Sequence, residues 1–299
     1  MANSRVLVTG VSGPIGSALL PSLRERGYAI SRLMRAAFAS SDQIPWDPLK
    51  PLAAEAVSGF DAVIHLAGES IVGRWTDAKQ RKIRDSRVEG TRHLAEALTK
   101  ASQRPRVFIS GSAIGYYGDR GDETLTEQSA AGHGFLPEVC REWEASTQAA
   151  ADAGIRTVNI RIGLVLSAVG GALPKMLTPF KLGAGGIVGN GRQWWSWIDV
   201  QDLTGAIHHI LTTDSLRGPV NLVAPKATTN AEFTRTLASA LHRPAVFPMP
   251  AFAAKLAFGK MADELLLASQ HVEPAKLVNS GFLFQSVELA GALAGILRE

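Results

Sequence analysis

Residues 6–20 read VLVTGVSGPIGSALL: a short apolar, β-branched run, glycines at Gly10, Gly13 and Gly16, then a helical apolar pattern. Glycines between a strand and a helix let the chain turn tightly and bring its backbone close to a pyrophosphate. The helix N-terminus then supplies free N–H groups and the positive end of its dipole. The spacing is G-x-x-G-x-x-G rather than G-x-G-x-x-G, and a tight turn without a ligand is the plain alternative. Working outward, apolar runs at 5–9, 29–34, 62–67, 107–110 and 157–162 alternate with helical stretches. That order describes a parallel sheet with right-handed crossovers. DAVIHLAG, at 61–68, is apolar enough for a strand covered on both faces. The expected fold is α/β: a Rossmann-type doubly wound parallel sheet over residues 1–225 and a small, mostly helical C-terminal domain over 226–299.

About 20 residues past such a turn, an acid suits the 2′-hydroxyl of NAD and an arginine suits the 2′-phosphate of NADP. Here AISRLMR puts Arg32 and Arg35 in that region, with no acid between Glu25 and Asp42. The expected cofactor is therefore NADP(H); two surface arginines at a strand end are the alternative. Further on, Asp199 suits the N-cap of a helix with the stripe Leu203, Ile207, Ile210 and Leu211, and Thr229 with Glu232 forms a capping-box pattern.

Composition narrows the function classes. The chain has 299 residues, 46% hydrophobic and 19% charged, with a formal net charge of +4, which is too mild to imply nucleic acid. One cysteine excludes an internal disulfide, and the seven histidines show no ligand spacing, so no metal site is expected. The N-terminus enters a strand pattern directly and no 18-residue uncharged apolar run occurs. The expectation is a cytoplasmic protein, monomer or homodimer, with no membrane or nucleic-acid partner. Gly259-Lys260 lacks the rest of a Walker loop, and GSAIG is not the G-x-S-x-G nucleophile elbow.

TGVSGPIG, HLAG, SGS at 110–112, LAGESI, SGSAIGYYGD, GRQWWSWID, IDVQD and NLVAP together resemble the extended short-chain dehydrogenase/reductase superfamily. More narrowly, they resemble its epimerase-family branch with a small C-terminal domain. The resemblance covers nearly the whole chain. It implies cofactor contacts at Ser12, Pro14 and Ile15 in the turn, at Leu66, Ala67 and Gly68 after the fourth strand, and at Arg87, Ser110, Gly111, Gly163 and Leu164. It also implies a small-molecule substrate, nucleotide-sugar-like or of another kind.

In that superfamily a tyrosine donates a proton to the substrate oxygen, a lysine four residues later lowers the tyrosine's pKa, and an upstream serine orients the oxygen. Ser112 matches the serine. In FLPEVCREWE, residues 135–144, the matching positions hold Leu136 and Cys140, and none of the three tyrosines is followed by lysine at the fourth place. Candidates for the proton donor are Tyr116, Tyr117 and Cys140, the last also readable as a small hydrophobe. Arg87 replaces an expected asparagine and shares a helical stripe with Ile83, Gly90 and Leu94. A guanidinium there must find an anion or carbonyls. The cluster Trp194, Trp195 and Trp197 beside Gly189, Asn190 and Gly191 is a candidate pocket floor, with 164–198 as the substrate-contacting segment. Two readings stand: an NADP-dependent oxidoreductase or epimerase-like enzyme with an atypical acid, or a silent NADP(H)-binding redox sensor.

Overall fold

The computed structural model describes residues 4–35 and 40–298; residues 1–3, 36–39 and Glu299, inside or bounding the expected domains, lie outside that description. Strands Arg5–Thr9 (β1), Ala29–Met34 (β2), Gln43–Pro45 (β3), Ala62–His65 (β4), Val107–Ala113 (β5), Arg156–Ile162 and Gly218–Leu222 form one seven-stranded sheet. Its order runs β3-β2-β1-β4-β5, then Arg156–Ile162, then Gly218–Leu222, with every pairing parallel. The chain reverses direction across the sheet at β1 and β4, the place where doubly wound sheets open a crevice.

Alternation along β1 divides the core. Val6 and Val8 join Leu19, Leu23, Ile64, Ile109, Leu203 and Ile207 on one face, against the helices Pro14–Glu25 (α1) and Val200–Thr212. Leu7 points the other way, into Val63, Phe108, Leu94 and Leu98, under helix Asp77–Lys100 (α2). Burying each such side chain contributes about 1.5–3 kcal/mol. A third core gathers Leu166, Trp197, Phe233, Leu237 and Leu293, so the helices Asn230–Ala240 and Leu289–Ile296 pack on the segment after the sheet's sixth strand. Asp199 caps its helix through the Gln201 N–H, and Thr229 with Glu232 forms the capping box.

Two strands of this sheet lie outside the runs read from sequence. Gln43–Pro45 is three residues long, and Gly218–Leu222 begins Gly-Pro, which reads as a turn. Helix Phe135–Ala145 (α3) has Gly134 as its N-cap, with φ of 120° and no side-chain cap of its own. Its first N–H groups donate instead to Glu264, from Phe135 at 3.1 Å and Leu136 at 2.6 Å. Glu264 sits on the π-helical turn Ala262–Leu266, so a C-terminal carboxylate completes a helix of the first half.

Candidate dinucleotide and substrate site

The three glycines of the first turn serve different purposes. A Cβ on Gly10, which has φ of +70°, would lie 2.5 Å from the Leu66 carbonyl, and one on Gly16 would lie 2.4 Å from the Gly10 oxygen. Both are required by backbone packing. A Cβ on Gly13 would meet only the Gly10 oxygen, at 3.3 Å, so the space outside Gly13 is left open by the protein. Gly13 caps α1 without a side chain, Pro14 begins it, and among the described residues the first N–H groups of the helix have no side-chain partner. Open space above a glycine beside unpaired donors fits a pyrophosphate. Ser12 is exposed on this turn and Ile15 packs inward against the first core.

Behind the turn runs a buried polar chain that the sequence reading did not find. Thr9 Oγ1 accepts the N–H groups of Leu66 and Ala67, each at 3.1 Å, so its own proton goes to His65 Nδ1 at 2.7 Å. The His65 Nε2–H then donates to Thr91 Oγ1 at 3.0 Å, which also accepts the Trp143 indole N–H at 2.9 Å. Burial pushes the His65 pKa down to about 3, so the ring is neutral and holds this tautomer. The chain ties β1, β4, α2 and α3 together beneath Leu66 and Ala67. Gly111 belongs to the same packing, since a Cβ there would press the Trp143 indole at 3.0 Å. Ser110 is fully buried beside it.

Arg87 lies over the Trp143 ring, its Cζ 5.1 Å from the centroid, and against Gly68. One nitrogen donates to the carbonyls of Ile83 and Glu69, each at 3.0 Å. Among the described residues no carboxylate pairs with it, so of the anion or carbonyls that it needs, the protein supplies carbonyls. Burial pushes its pKa down. At the end of β2, Arg32 meets Asp42 at 2.7 Å, and that contact together with Ser40 holds the Asp42 carboxyl below its ordinary value. Asp42, the first acid after the gap, is therefore the partner of Arg32, and Arg35 is the exposed cation of the pair.

At the end of β5 the polar groups are spent on one another. Ser112 Oγ donates to Glu144 Oε1 at 2.7 Å, and Arg161 grips both Glu144 oxygens, each at 2.8 Å. The pair is buried, with side chains 3% and 12% exposed. Burial works against the Arg161 charge, but the hydrogen bonds and charge of Glu144 more than offset it and its pKa is raised. Arg161 also donates to the Tyr117 hydroxyl at 3.0 Å, which in turn donates to Asn221 Oδ1 at 2.7 Å.

This geometry corrects three expectations. Tyr117 is completely buried with its hydroxyl engaged, so it is a core residue and not a proton donor. Cys140 is buried, and desolvation, reinforced by the charge of Glu144, pushes its thiol up to about 12. It packs as a small hydrophobe. The tryptophans do not floor a pocket: Trp197 is fully buried, Trp195 packs edge-on against Phe233, and Trp194 stacks on His271 at 4.3 Å. Gly163 and Leu164 also spend their N–H groups internally, on Leu222 and Ser196, and a Cβ on Gly163 would meet the Ser196 oxygen at 2.6 Å. Tyr116 remains. It is half-buried, its ring lies 3.4 Å under the Arg161 guanidinium, and its hydroxyl has no partner among the described residues.

Beside this network is a cavity of about 480 Å³, lined by Gly115, Leu136, Gln193, Lys255, Asp263 and Glu264, among others. Leu136, at the position matching the superfamily's tyrosine, is on its wall, as are Gly189 and Asn190. Among the described residues no His, Cys, Asp and Glu cluster could hold a metal ion.

A doubly wound sheet, a glycine turn at its crevice and a serine at the end of β5 are the frame of the short-chain dehydrogenase/reductase class. The model of the NAD dependent epimerase/dehydratase family matches residues 6–223, and that of a domain of unknown function, DUF1731, matches residues 249–296. The chain belongs to the NAD dependent epimerase/dehydratase family. An epimerase family protein of Mycobacterium bovis is 39% identical to it over 98% of this chain and 97% of its own. The crystal structure of human epimerase family protein SDR39U1 with NADPH superposes with a TM-score of 0.91 at 35% identity, covering 99% of both chains. A nucleoside-diphosphate sugar epimerase from Corynebacterium glutamicum superposes with a TM-score of 0.84 at 38% identity, over 99% of this chain and 58% of that one.

Proposed function

We propose that this protein is an NADP(H)-dependent oxidoreductase or epimerase-like enzyme whose active site works without Tyr-x-x-x-Lys. The observation that carries the reading is the open space outside Gly13 beside the unpaired N-terminus of α1, with Arg87 half-buried and free of any carboxylate among the described residues. The relative solved with NADPH supports the choice of cofactor. Gly13 and the α1 N–H groups would hold the pyrophosphate, Arg87 and Gly68 would flank it, and Arg35, with Arg32 shared with Asp42, would meet a 2′-phosphate. A nicotinamide held there would supply or accept a hydride.

The chain's own residues then set the proton chemistry. Because the Ser112 proton points to Glu144, Ser112 Oγ presents lone pairs and accepts a hydrogen bond from a substrate hydroxyl. Tyr116 is the remaining phenol free to exchange a proton with that oxygen. The cavity beside Leu136 receives the rest of the substrate, with residues 164–198 and the C-terminal region 226–299 forming its far side. Its lining sets Asp119, Asp263 and Glu264 against Lys255, so an uncharged hydroxy or carbonyl compound suits it better than a nucleotide diphosphate.

Turnover with NADP⁺ or NADPH across alcohols and carbonyls is expected to fall at least about 100-fold in Tyr116→Phe, with unchanged cofactor affinity. Absence of hydride exchange across the panel, with NADPH still bound, would instead select a second reading. That reading, a redox sensor without chemistry, is favoured by the internal satisfaction of Ser112 and Tyr117. It requires a partner whose affinity differs between the NADPH and NADP⁺ forms.

A further inference from the structure

The helix Ala251–Phe258, which turns Ala251 and Lys255 to the cavity, otherwise lies on the surface with only Ala254 of its residues buried. Phe252 and Leu256, four apart and so on one side, are 74% and 76% exposed. Val246 and Phe247 just before it are 67% and 63% exposed. The neighbouring segment 182–188 runs beside them: Phe247 N–H donates to the Gly185 carbonyl, Met249 N–H to that of Ile187, and Gly183 faces Pro244. This brings Leu182, 79% exposed, to the same face. Such a run of large apolar side chains on a surface marks an interaction site.

Its charge says what kind. Residues 153–198 and 233–262 contain no aspartate or glutamate; Lys181 adjoins Leu182, Arg243 comes three residues before Val246 and Lys260 follows the helix, all three exposed. Among the described residues none of these three pairs with a carboxylate; Lys255 alone on this helix does, holding Asp263 at 2.8 Å. A second copy would meet this face through a two-fold axis and bring like cations together. Exposed phenylalanine and leucine among unpaired lysine and arginine match the boundary between acyl chains and anionic headgroups.

We propose that this face is a peripheral docking surface for a lipid bilayer carrying anionic headgroups. The sequence-based expectation of no membrane partner rested on spanning segments, and a helix lying in the interface plane needs none. Phe252, Leu256, Phe247 and Leu182 enter the acyl boundary while Lys181, Arg243 and Lys260 sit at headgroup level.

Co-sedimentation of the full chain with phosphatidylcholine vesicles, with and without phosphatidylglycerol, tests this. Binding is expected only with phosphatidylglycerol and weakens as salt rises. Phe252→Ser with Leu256→Ser lowers partitioning at least about tenfold. Lys181→Glu with Arg243→Glu does so by a comparable factor, while the melting temperature and NADPH affinity of both variants stay at wild-type values. Three outcomes overturn the proposal: wild type left in the supernatant with both vesicles, binding that both double variants retain, or a solution dimer that Phe252→Ser with Leu256→Ser disperses. The last would assign the face to a second copy.

Discussion

The start of α1 and the end of β5 lie at the same carboxyl end of the parallel strands, yet their polar groups are treated in opposite ways. Among the described residues, the backbone donors of α1 are left without side-chain partners and only the Gly10 oxygen approaches the space outside Gly13. At β5 the serine, the carboxylate, the guanidinium and a tyrosine close on one another, with every contact between 2.7 and 3.0 Å. An unsatisfied cradle is completed by a ligand, whereas a closed network is complete already and serves position first. The turn before α1 is therefore left for a cofactor, while the end of β5 is organised around a buried ion pair.

The contrast breaks most easily at the ion pair. Glu144→Ala leaves Arg161 buried without its anion and is expected to cost about 3–5 kcal/mol in denaturant unfolding. Adding Arg161→Met restores most of that loss; a double variant as unstable as the single one would show that the network does not act as a unit. The two glycines of the turn sharpen the other side. Gly16→Ala drives a methyl into the Gly10 carbonyl and costs roughly 2–3 kcal/mol. Gly13→Ala changes stability by less than about 0.5 kcal/mol but weakens NADPH at least about tenfold in equilibrium titration, because only the ligand occupies that space.

A smaller effect tests the chain beneath the cradle. His65 has a folded pKa of about 3, below its unfolded value of ~6.5, so the unfolded state binds the proton first as pH falls. Stability from this group is full above the unfolded value and is lost as pH drops through it, by about 2 kcal/mol between about pH 6.5 and 5. Unfolding followed across that window should show the slope in wild type and a flatter curve in His65→Gln. An unchanged slope would place the titration elsewhere.

The cradle was legible because its signal is local: strand, three glycines and helix occupy 15 consecutive residues. The five central strands were legible for the same reason, as short apolar runs. The network at β5 was not, because its members are distant in sequence; Tyr117 and Asn221 are 104 residues apart. One clue was present. Arg161 falls between Ile160 and Ile162 in an inner strand, and a guanidinium at a covered strand position calls for a buried anion. Likewise Arg32 was read without Asp42, because the partner is ten residues away in the turn just before the neighbouring strand. The tryptophans misled because bulk and aromaticity do not distinguish a pocket wall from a core.

Glu264 has a consequence for how such chains can be recombined. The two recognised segments, 6–223 and 249–296, look like separable modules. Yet the first turn of α3 ends on a carboxylate belonging to the second. A graft that exchanged the C-terminal module without an acid at that point would strand two N–H groups beside the cavity. The seam between the modules therefore runs through a helix cap, and inheritance of the two must be joint.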